Sequence, residues 1–238
     1  MTSPAAREPG LSGKGPRKSH AELEAALAQK TGPRVLPVRE GLAELFPWGG
    51  LRRGGTVAVR GSAALLLSLL AEASAHGSWV AVVGLPDLGI VAAAELGIAV
   101  DRLALVPRPG VDLPAVVAAL LDGFDLVAMS VDRVGDAHAR RLSARARNRG
   151  AVLLPFGGSW PGADIELTCA RGRWSGLGVG HGHLSARQVD VLARGRGAAA
   201  RPSRAPFTLQ GGSPHAALTA LPFEHKFEQA SPSRSHLS

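Results

Sequence analysis

The sequence predicts an α/β protein in which a mostly parallel sheet is flanked by helices. Two observations support this class. Between residues 35 and 174, short apolar runs alternate with helical patterns, which is typical of βαβ units. Hydrophobic residues make up 45% of the 238-residue chain, enough to bury one sizeable core. We therefore expect a single domain of this class with an N-terminal and a C-terminal extension.

Six apolar runs are predicted as strands, and four helical patterns lie among them. The predicted strands are residues 56–60, 79–84, 103–106, 125–130, 151–154 and 165–171. The predicted helices are residues 62–75, 88–96, 112–121 and 136–148. The helix at 62–75 is apolar nearly all round, so we expect it to be buried. Asp112 stands where its side chain would cap the third helix.

The domain at residues 35–174 is predicted to have an extension on each side. Residues 1–34 are predicted as a flexible tail with a short helix, and residues 175–238 as a basic Gly/Arg-rich and then Pro/Ser-rich extension. Within that extension, the glycines at 176–184 indicate a hinge. Residues 194–201 are predicted to be disordered until they bind a partner.

Composition excludes several classes of site. A single cysteine, Cys169, excludes an internal disulfide and a cysteine-built zinc site. His181 and His183 have no further ligand at metal-binding spacing, so no metal is expected. Aromatic residues are only 4%, which argues against a sheet that stacks bases. We see neither a secretory signal nor a membrane-spanning run, and a cytoplasmic location is expected.

The excess of positive charge behind the net charge of +8 lies in the N-terminal tail, residues 1–34, and in one late block of the chain. Residues 135–204 contain 12 basic and 4 acidic side chains, whereas residues 35–134 contain 7 and 10. Of the basic residues, 23 are Arg and 4 are Lys. Arg binds phosphate in a bidentate manner, but a GC-rich genome is the simpler explanation of this preference.

Several of these arginines are candidates for contact with DNA or a protein partner. Arg141, Arg145 and Arg149 recur every four residues, so they would line one face of the predicted helix 136–148 and its end. That face suits phosphate or an acidic partner, or it is a solvated outer face. Trp160 and Trp174 suit either an interface or a cover for the sheet edge. The remaining candidates are Arg140, Arg187, Arg194, Arg196, Arg201 and Arg204.

The turn after the first predicted strand is where a nucleotide-binding fold would hold its phosphate loop. That loop follows the pattern Gly, four residues, Gly, Lys and Ser or Thr. Gly61 and Ser68 match it, but Leu66 and Leu67 replace the second Gly and the Lys. We therefore expect a vestigial site without a cofactor and without ATPase activity.

The predicted strand 125–130 supports the same interpretation. In phosphate-loop ATPases, a carboxylate near the end of such a strand supports Mg²⁺. Here the strand ends in Ser130, and Asp132 follows two residues later. Asp132 could serve that role, but an Asp in a turn is commonplace.

The residues around this turn resemble those of the RecA-type ATPase core. The resemblance spans about residues 40–170 and rests on GGLRRGG at 49–55, LGIAVDRLALV at 96–106 and DLVAMS at 125–130. More closely, GGLRRG, SWPGAD, RGRW and GLGVGHGHL resemble the ImuA-like accessory proteins of actinobacteria, a RecA-fold family of the mutasome.

This resemblance implies a RecA-like fold and a role as a non-catalytic adaptor in translesion synthesis and mutagenesis after DNA damage. It implies an ImuB-type Y-family polymerase homologue as partner, contacted by residues beyond about 170. Through that partner it implies an error-prone replicative-type polymerase and the sliding clamp. Contact with DNA and self-association are open, and no membrane is expected. The alternatives are a SulA-like cell-division inhibitor and a genuine RecA-type DNA-dependent ATPase.

Overall fold

The structure, a computed structural model, describes residues 34–132, 134–169, 172–177 and 182–210. A two-stranded antiparallel hairpin comes first, formed by β1 (Val35–Pro37) and β2 (Gly50–Arg52). The short helix α1 (Glu40–Ala43) lies between these two strands in sequence. The sequence analysis did not predict this hairpin.

A nine-stranded sheet organises the rest of the described chain. Its parallel part contains β3 (Val57–Arg60), β4 (Val80–Val83), β5 (Leu103–Val106), β6 (Leu126–Ser130), β7 (Val152–Phe156) and β8 (Ile165–Cys169). These strands lie in the order β8-β3-β7-β6-β4-β5. The first core strand, β3, therefore lies inside the sheet, between the two that come last.

Helices connect the parallel strands. They are α2 (Ala63–Ala75), α3 (Ile90–Glu95), α4 (Leu113–Leu120) and α5 (Asp136–Arg149). Single 3-10 turns occur at Val100–Arg102, Gly110–Asp112 and Gly197–Ala199.

The prediction of a mostly parallel α/β sheet with flanking helices is confirmed. All six predicted strands and all four predicted helices occur, with ends that differ by a few residues. The apolar runs were enough to locate these strands, because helices cover both faces of a parallel sheet and its strands are therefore apolar at nearly every position. One detail was wrong: Asp112 occupies the N-cap position of α4, but its side chain makes no capping hydrogen bond.

The core consists of two clusters, one on each side of the sheet. One contains most of α2, with Leu65, Leu66 and Leu69 fully buried. The other contains apolar residues of α4 and α5, such as Val117 and Leu142, packed on the opposite face.

Three antiparallel strands extend the sheet beyond β8. They are β9 (Arg173–Leu177), β10 (Gly182–Gly195) and β11 (Ser203–Gln210). β10 pairs with β8 and β9, and β11 pairs with β10 as the last strand on that side. Among the described residues, no helix is long and apolar enough to cross a membrane.

These strands correct two predictions made for the C-terminal extension. Part of the predicted hinge at 176–184 belongs to β9 and β10, and the segment 194–201, predicted as disordered, contains the end of β10 and a 3-10 turn. The physical reason is an alternation of apolar side chains that the neighbouring Gly and Arg obscured. The buried members of that alternation are Val189, Val191, Ala193, Ala205, Phe207 and Leu209. Residues 178–181 and 211–238, like the tail at 1–33, lie outside the described residues.

Candidate functional site

The turn at the end of β3 is too short to be a phosphate loop. Only Gly61 and Ser62 separate β3 from α2. Gly61 has φ +89°, and a Cβ atom there would lie 3.1 Å from the carbonyl oxygen of Cys169. Ser62 caps the helix, because its Oγ accepts a hydrogen bond from the N–H of Leu65 at 3.3 Å. Residues that would have to wrap a phosphate are therefore already part of the helix.

The positions that should supply phosphate chemistry are instead used for packing. Leu66 and Leu67 are buried, with 0% and 3% of their surface exposed, and belong to the core cluster around α2. Ser68 is fully buried, and its hydroxyl donates to the carbonyl oxygen of Ala64 at 2.7 Å. Leu66, Leu67 and Ser68 therefore offer no polar group to a phosphate.

Ser130 and Asp132 form a local turn at the end of β6. The hydroxyl of Ser130 donates to Oδ2 of Asp132 at 3.0 Å and accepts from the backbone N–H of Asp132 at 3.2 Å. Hydrogen bonds of this kind are common where a short polar side chain stabilises a turn. They give Asp132 a structural role in this turn.

Cys169, at the end of β8, is half-buried. Burial raises the pKa of its thiol above the ordinary value, and the positive charge of Arg187 offsets this only in part. A raised pKa disfavours the thiolate, which is the reactive form of a cysteine. Among the described residues, no three His, Cys, Asp or Glu side chains are grouped so that they could hold a metal ion. His181 and the side chain of His183 lie outside the described part.

Two of the three arginines of the predicted stripe on α5 are paired with one shared carboxylate. Arg145 donates from Nε and a terminal nitrogen to Asp122 at 2.9 and 2.5 Å, and Nε of Arg149 lies 3.0 Å from the same carboxylate. The hydrogen bond from Arg145 is the main cause that lowers the pKa of Asp122 below its ordinary value of 3.8. Arg141 is exposed. The interpretation of this face as a solvated outer face fits these ion pairs.

The other predicted interaction residues are scattered over the surface. Arg204 donates to Asp190 at 2.5 Å. Nε1 of Trp160 donates to Ser143 at 2.9 Å, and only 5% of Trp160 is exposed, so its interpretation as an interface anchor was wrong. Of the remaining candidates, Arg140, Arg194, Arg196 and Arg201 are exposed, Arg187 is half-buried, and the side chain of Trp174 lies outside the described part.

A cleft of about 470 Å³ lies at the end of the sheet where the parallel strands begin, opposite the end that holds the turn at Gly61. We call it the cationic cleft. It lies among the turn between β2 and β3, the last turn of α5, the start of β8 and the residues after β10. Its charged lining residues are Arg52, Arg53, Arg147, Asp164 and Arg196, and the half-buried Trp48 lies beside them.

Hydrogen bonds and a ring contact fix most of this lining. The guanidinium of Arg52 lies 5.4 Å from the centroid of the Trp48 ring. Arg53 donates to Oδ1 of Asp125 at 2.8 Å. Oδ2 of Asp164 accepts from the N–H of Thr56 at 2.9 Å, which ties the start of β8 to the start of β3.

Arg196 is held by backbone oxygens of the loop before β8. Its Nε donates to the carbonyl oxygen of Ala163 at 3.0 Å, and a terminal nitrogen donates to that of Gly162. The same guanidinium lies 3.7 Å from Asp164.

The sequence analysis did not find the cationic cleft. It singled out Arg196 as a candidate for contact with DNA or a partner, within a segment predicted to be disordered until bound. Arg52 and Arg147 were not candidates. The four segments that form the cleft are far apart in the chain and come together only through the strand order of the sheet. The Arg52-Arg53 pair just before the first core strand was the one local signal.

Comparisons with known proteins match the parallel part of this fold. The family model described as the MT3502 N-terminal domain matches residues 44–162. The chain is 41% identical over 152 residues to the uncharacterized protein Rv3395c of Mycobacterium tuberculosis, an alignment that covers 60% of this chain and 74% of that protein. Half of the chain lies within the family match, and that match includes β3 to β7 with the turn at Gly61. This chain therefore belongs to the family of the MT3502 N-terminal domain.

Proposed function

We propose that this protein is a non-catalytic adaptor of the mutasome that supports translesion synthesis and mutagenesis after DNA damage. The main observation is the direct junction between β3 and α2, in which Leu66 and Leu67 lie inside the core. A fold that has no room for a phosphate loop at this turn is suited to act as a scaffold instead of a motor.

The resemblance to ImuA-like accessory proteins supplies the identity of the partners. They are an ImuB-type Y-family polymerase homologue and, through it, an error-prone replicative-type polymerase and the sliding clamp. The actinobacterial origin of the relative fits this resemblance. Arg194 and Arg201 are exposed cations in the region that the resemblance assigns to partner contact.

Nucleotide binding and hydrolysis by the purified chain, with and without single-stranded DNA, test the non-catalytic part of the proposal. We expect neither tight ATP binding nor turnover, because Leu67 stands where the phosphate-loop pattern has its lysine. DNA-stimulated hydrolysis that is lost in an Asp132→Ala variant would replace the adaptor with a RecA-type ATPase.

Affinity capture with the two candidate partners tests the adaptor part. We expect the full chain to bind the ImuB-type homologue and not the tubulin-like division protein. The double variant Arg194→Glu with Arg201→Glu should weaken that binding, whereas Arg108→Glu, on an exposed arginine beyond β5, should not. Binding to the division protein alone would favour the cell-division inhibitor.

A further inference from the structure

We propose that the cationic cleft binds the phosphodiester backbone of single-stranded nucleic acid. This goes beyond the adaptor role, and it neither requires that role nor follows from it. It also places the DNA contact in the cleft and not on the helix face of Arg141, Arg145 and Arg149, where the sequence analysis had considered it.

The first argument is uncompensated charge. Arg52 and Arg147 are exposed in the cleft, and neither forms an ion pair with a carboxylate among the described residues. Arg53 is paired with Asp125, and the single carboxylate of the lining, Asp164, lies 3.7 Å from Arg196. Arg52 and Arg147 are thus both without a carboxylate, whereas on the opposite face of α5 Arg145 and Arg149 both bind Asp122 and, among the described residues, only Arg141 of that face lacks one. An anionic ligand would neutralise this excess of positive charge.

The second argument is the length of the charged surface. A further hollow of about 400 Å³ is lined by Arg140, Pro161 and Gly162, and it shares Arg147 and Arg196 with the cationic cleft. Arg140 and Arg147 are seven residues apart on α5, about two turns or ~10.5 Å along its axis. The two adjoining hollows therefore form a track, which suits a ligand with repeated negative charges better than a single small anion.

The third argument is the chemistry of the groups. All the cations of this track are Arg, whose planar guanidinium binds phosphate oxygens through two parallel hydrogen bonds. At one end Trp48, half-buried, is stacked with Arg52. Bases of single strands stack on aromatic rings and on guanidinium planes. Trp48 and Arg52 thus offer a stacking surface at the end of a phosphate-binding track.

The lining also favours nucleic acid over an acidic peptide. Protein partners rely on large anchors that fill pockets at the centre of an interface, and apart from Trp48 the large apolar side chains of the cleft are Phe46, Val57 and Ile165, all buried in the core. The exposed large hydrophobic residues lie elsewhere, at Trp79, Ile90, Val91, Val100 and Val111. Apart from Trp48, what the cleft offers a ligand is positive charge, and a nucleic-acid backbone supplies negative charge at high density.

Fluorescence anisotropy with a labelled 30-nucleotide oligothymidylate tests this proposal on the purified full chain. Affinity should fall with salt, with a slope of about −0.7 in log K against log salt for each phosphate contacted. Arg147→Ala and Arg52→Ala should each weaken binding about tenfold and flatten the slope by about 0.7. Arg147→Lys keeps the charge and should lose less affinity than Arg147→Ala.

The matched control is Arg108→Ala. Arg108 is exposed and lies just after β5, at the end of the sheet where the parallel strands finish, whereas the cleft lies where they begin. This variant therefore removes the same charge without touching the cleft. We expect it to bind like the unaltered chain, and all variants should show the same thermal unfolding midpoint. These measurements involve neither ATP nor the polymerase homologue, so their failure is separable from failure of the adaptor proposal.

Three results would overturn the proposal. The first is no oligonucleotide binding at low salt. The second is an equal loss in Arg108→Ala and Arg147→Ala, since binding would then reflect overall charge. The third is displacement of the oligonucleotide by polyglutamate at equal charge concentration with the same sensitivity to Arg147→Ala, which would make the cleft a site for an acidic protein segment.

Discussion

At the residue scale, Asp125 connects three segments of the parallel sheet. It lies just before β6, its Oδ1 accepts from Arg53 at 2.8 Å, and its Oδ2 accepts from the backbone N–H of Trp79 at 2.9 Å. The segment before β3 and the start of β4 are thus tied to the start of β6. The side chain of Asp125 is only 23% exposed, so water replaces these bonds poorly when the carboxylate is removed.

We predict that Asp125→Ala lowers the free energy of unfolding by about 2 kcal/mol, because a half-buried guanidinium and a backbone N–H both lose their acceptor. Urea denaturation of the full chain measures this. Asp112→Ala is the control, since Asp112 makes no capping bond and its loss should cost less than about 0.5 kcal/mol. Equal effects of the two substitutions would contradict the role of Asp125.

Single residues also mark the limit of what the sequence could predict. That position 67 holds Leu and not the lysine of the phosphate-loop pattern could be seen from the sequence, because the pattern has fixed spacing and the lysine is either present or absent. The ion pairs of Arg145 and Arg149 were not predictable. Their partner Asp122 belongs to a separate segment, and only the packing of α4 against α5 brings it within reach.

At the scale of elements, α2 determines what the first strand-to-helix turn can do. The helix begins at Ala63, with two residues between it and β3, and nine of its thirteen residues are buried. A helix that is apolar nearly all round must be buried on all sides. In α2 the buried residues include Leu67, which stands where the phosphate-loop pattern has its lysine. The turn is therefore closed by packing as well as by the identity of its residues.

We predict that Leu67→Lys does not restore nucleotide binding but destabilises the protein by more than about 3 kcal/mol, because an ammonium group would be buried without a partner. Leu67→Met preserves volume and polarity and should cost less than about 1.5 kcal/mol. Thermal denaturation and ATP titration of both variants check this. A stable Leu67→Lys protein that binds ATP would show that a phosphate loop can form here.

The elements differ in how strongly the sequence signalled them. Parallel strands such as β4 and β6 are buried on both faces and appear as continuous apolar runs. By contrast, β10 and β11 bury only alternate residues on one face. Their other face holds Arg, Asp, Thr and Pro, so composition suggested a basic flexible extension where the period-2 pattern indicated strands.

At the scale of the whole molecule, the antiparallel strands complete the same core as the parallel ones. Phe207 of β11 is 8% exposed and belongs to the cluster that contains α2. It also contacts α1, where a Cβ atom on Gly41 would lie 3.2 Å from Cδ2 of the Phe207 ring. The last described strand thus packs against the first described helix, and the described residues from Val35 onward form one compact unit.

We predict that Phe207→Ala lowers the free energy of unfolding by about 3–5 kcal/mol, the usual cost of removing a buried ring, and that unfolding remains a single transition. The matched control is Thr208→Ala, next in the same strand but exposed, which should change stability by less than about 0.5 kcal/mol. Urea denaturation followed by tryptophan fluorescence measures both. If Phe207→Ala left stability unchanged, β11 would be a peripheral addition and the domain would end near residue 174. If it destabilises the protein as expected, residues 182–210 are part of the folding unit, and the cationic cleft, which Arg196 borders, is built on a rigid edge of the sheet.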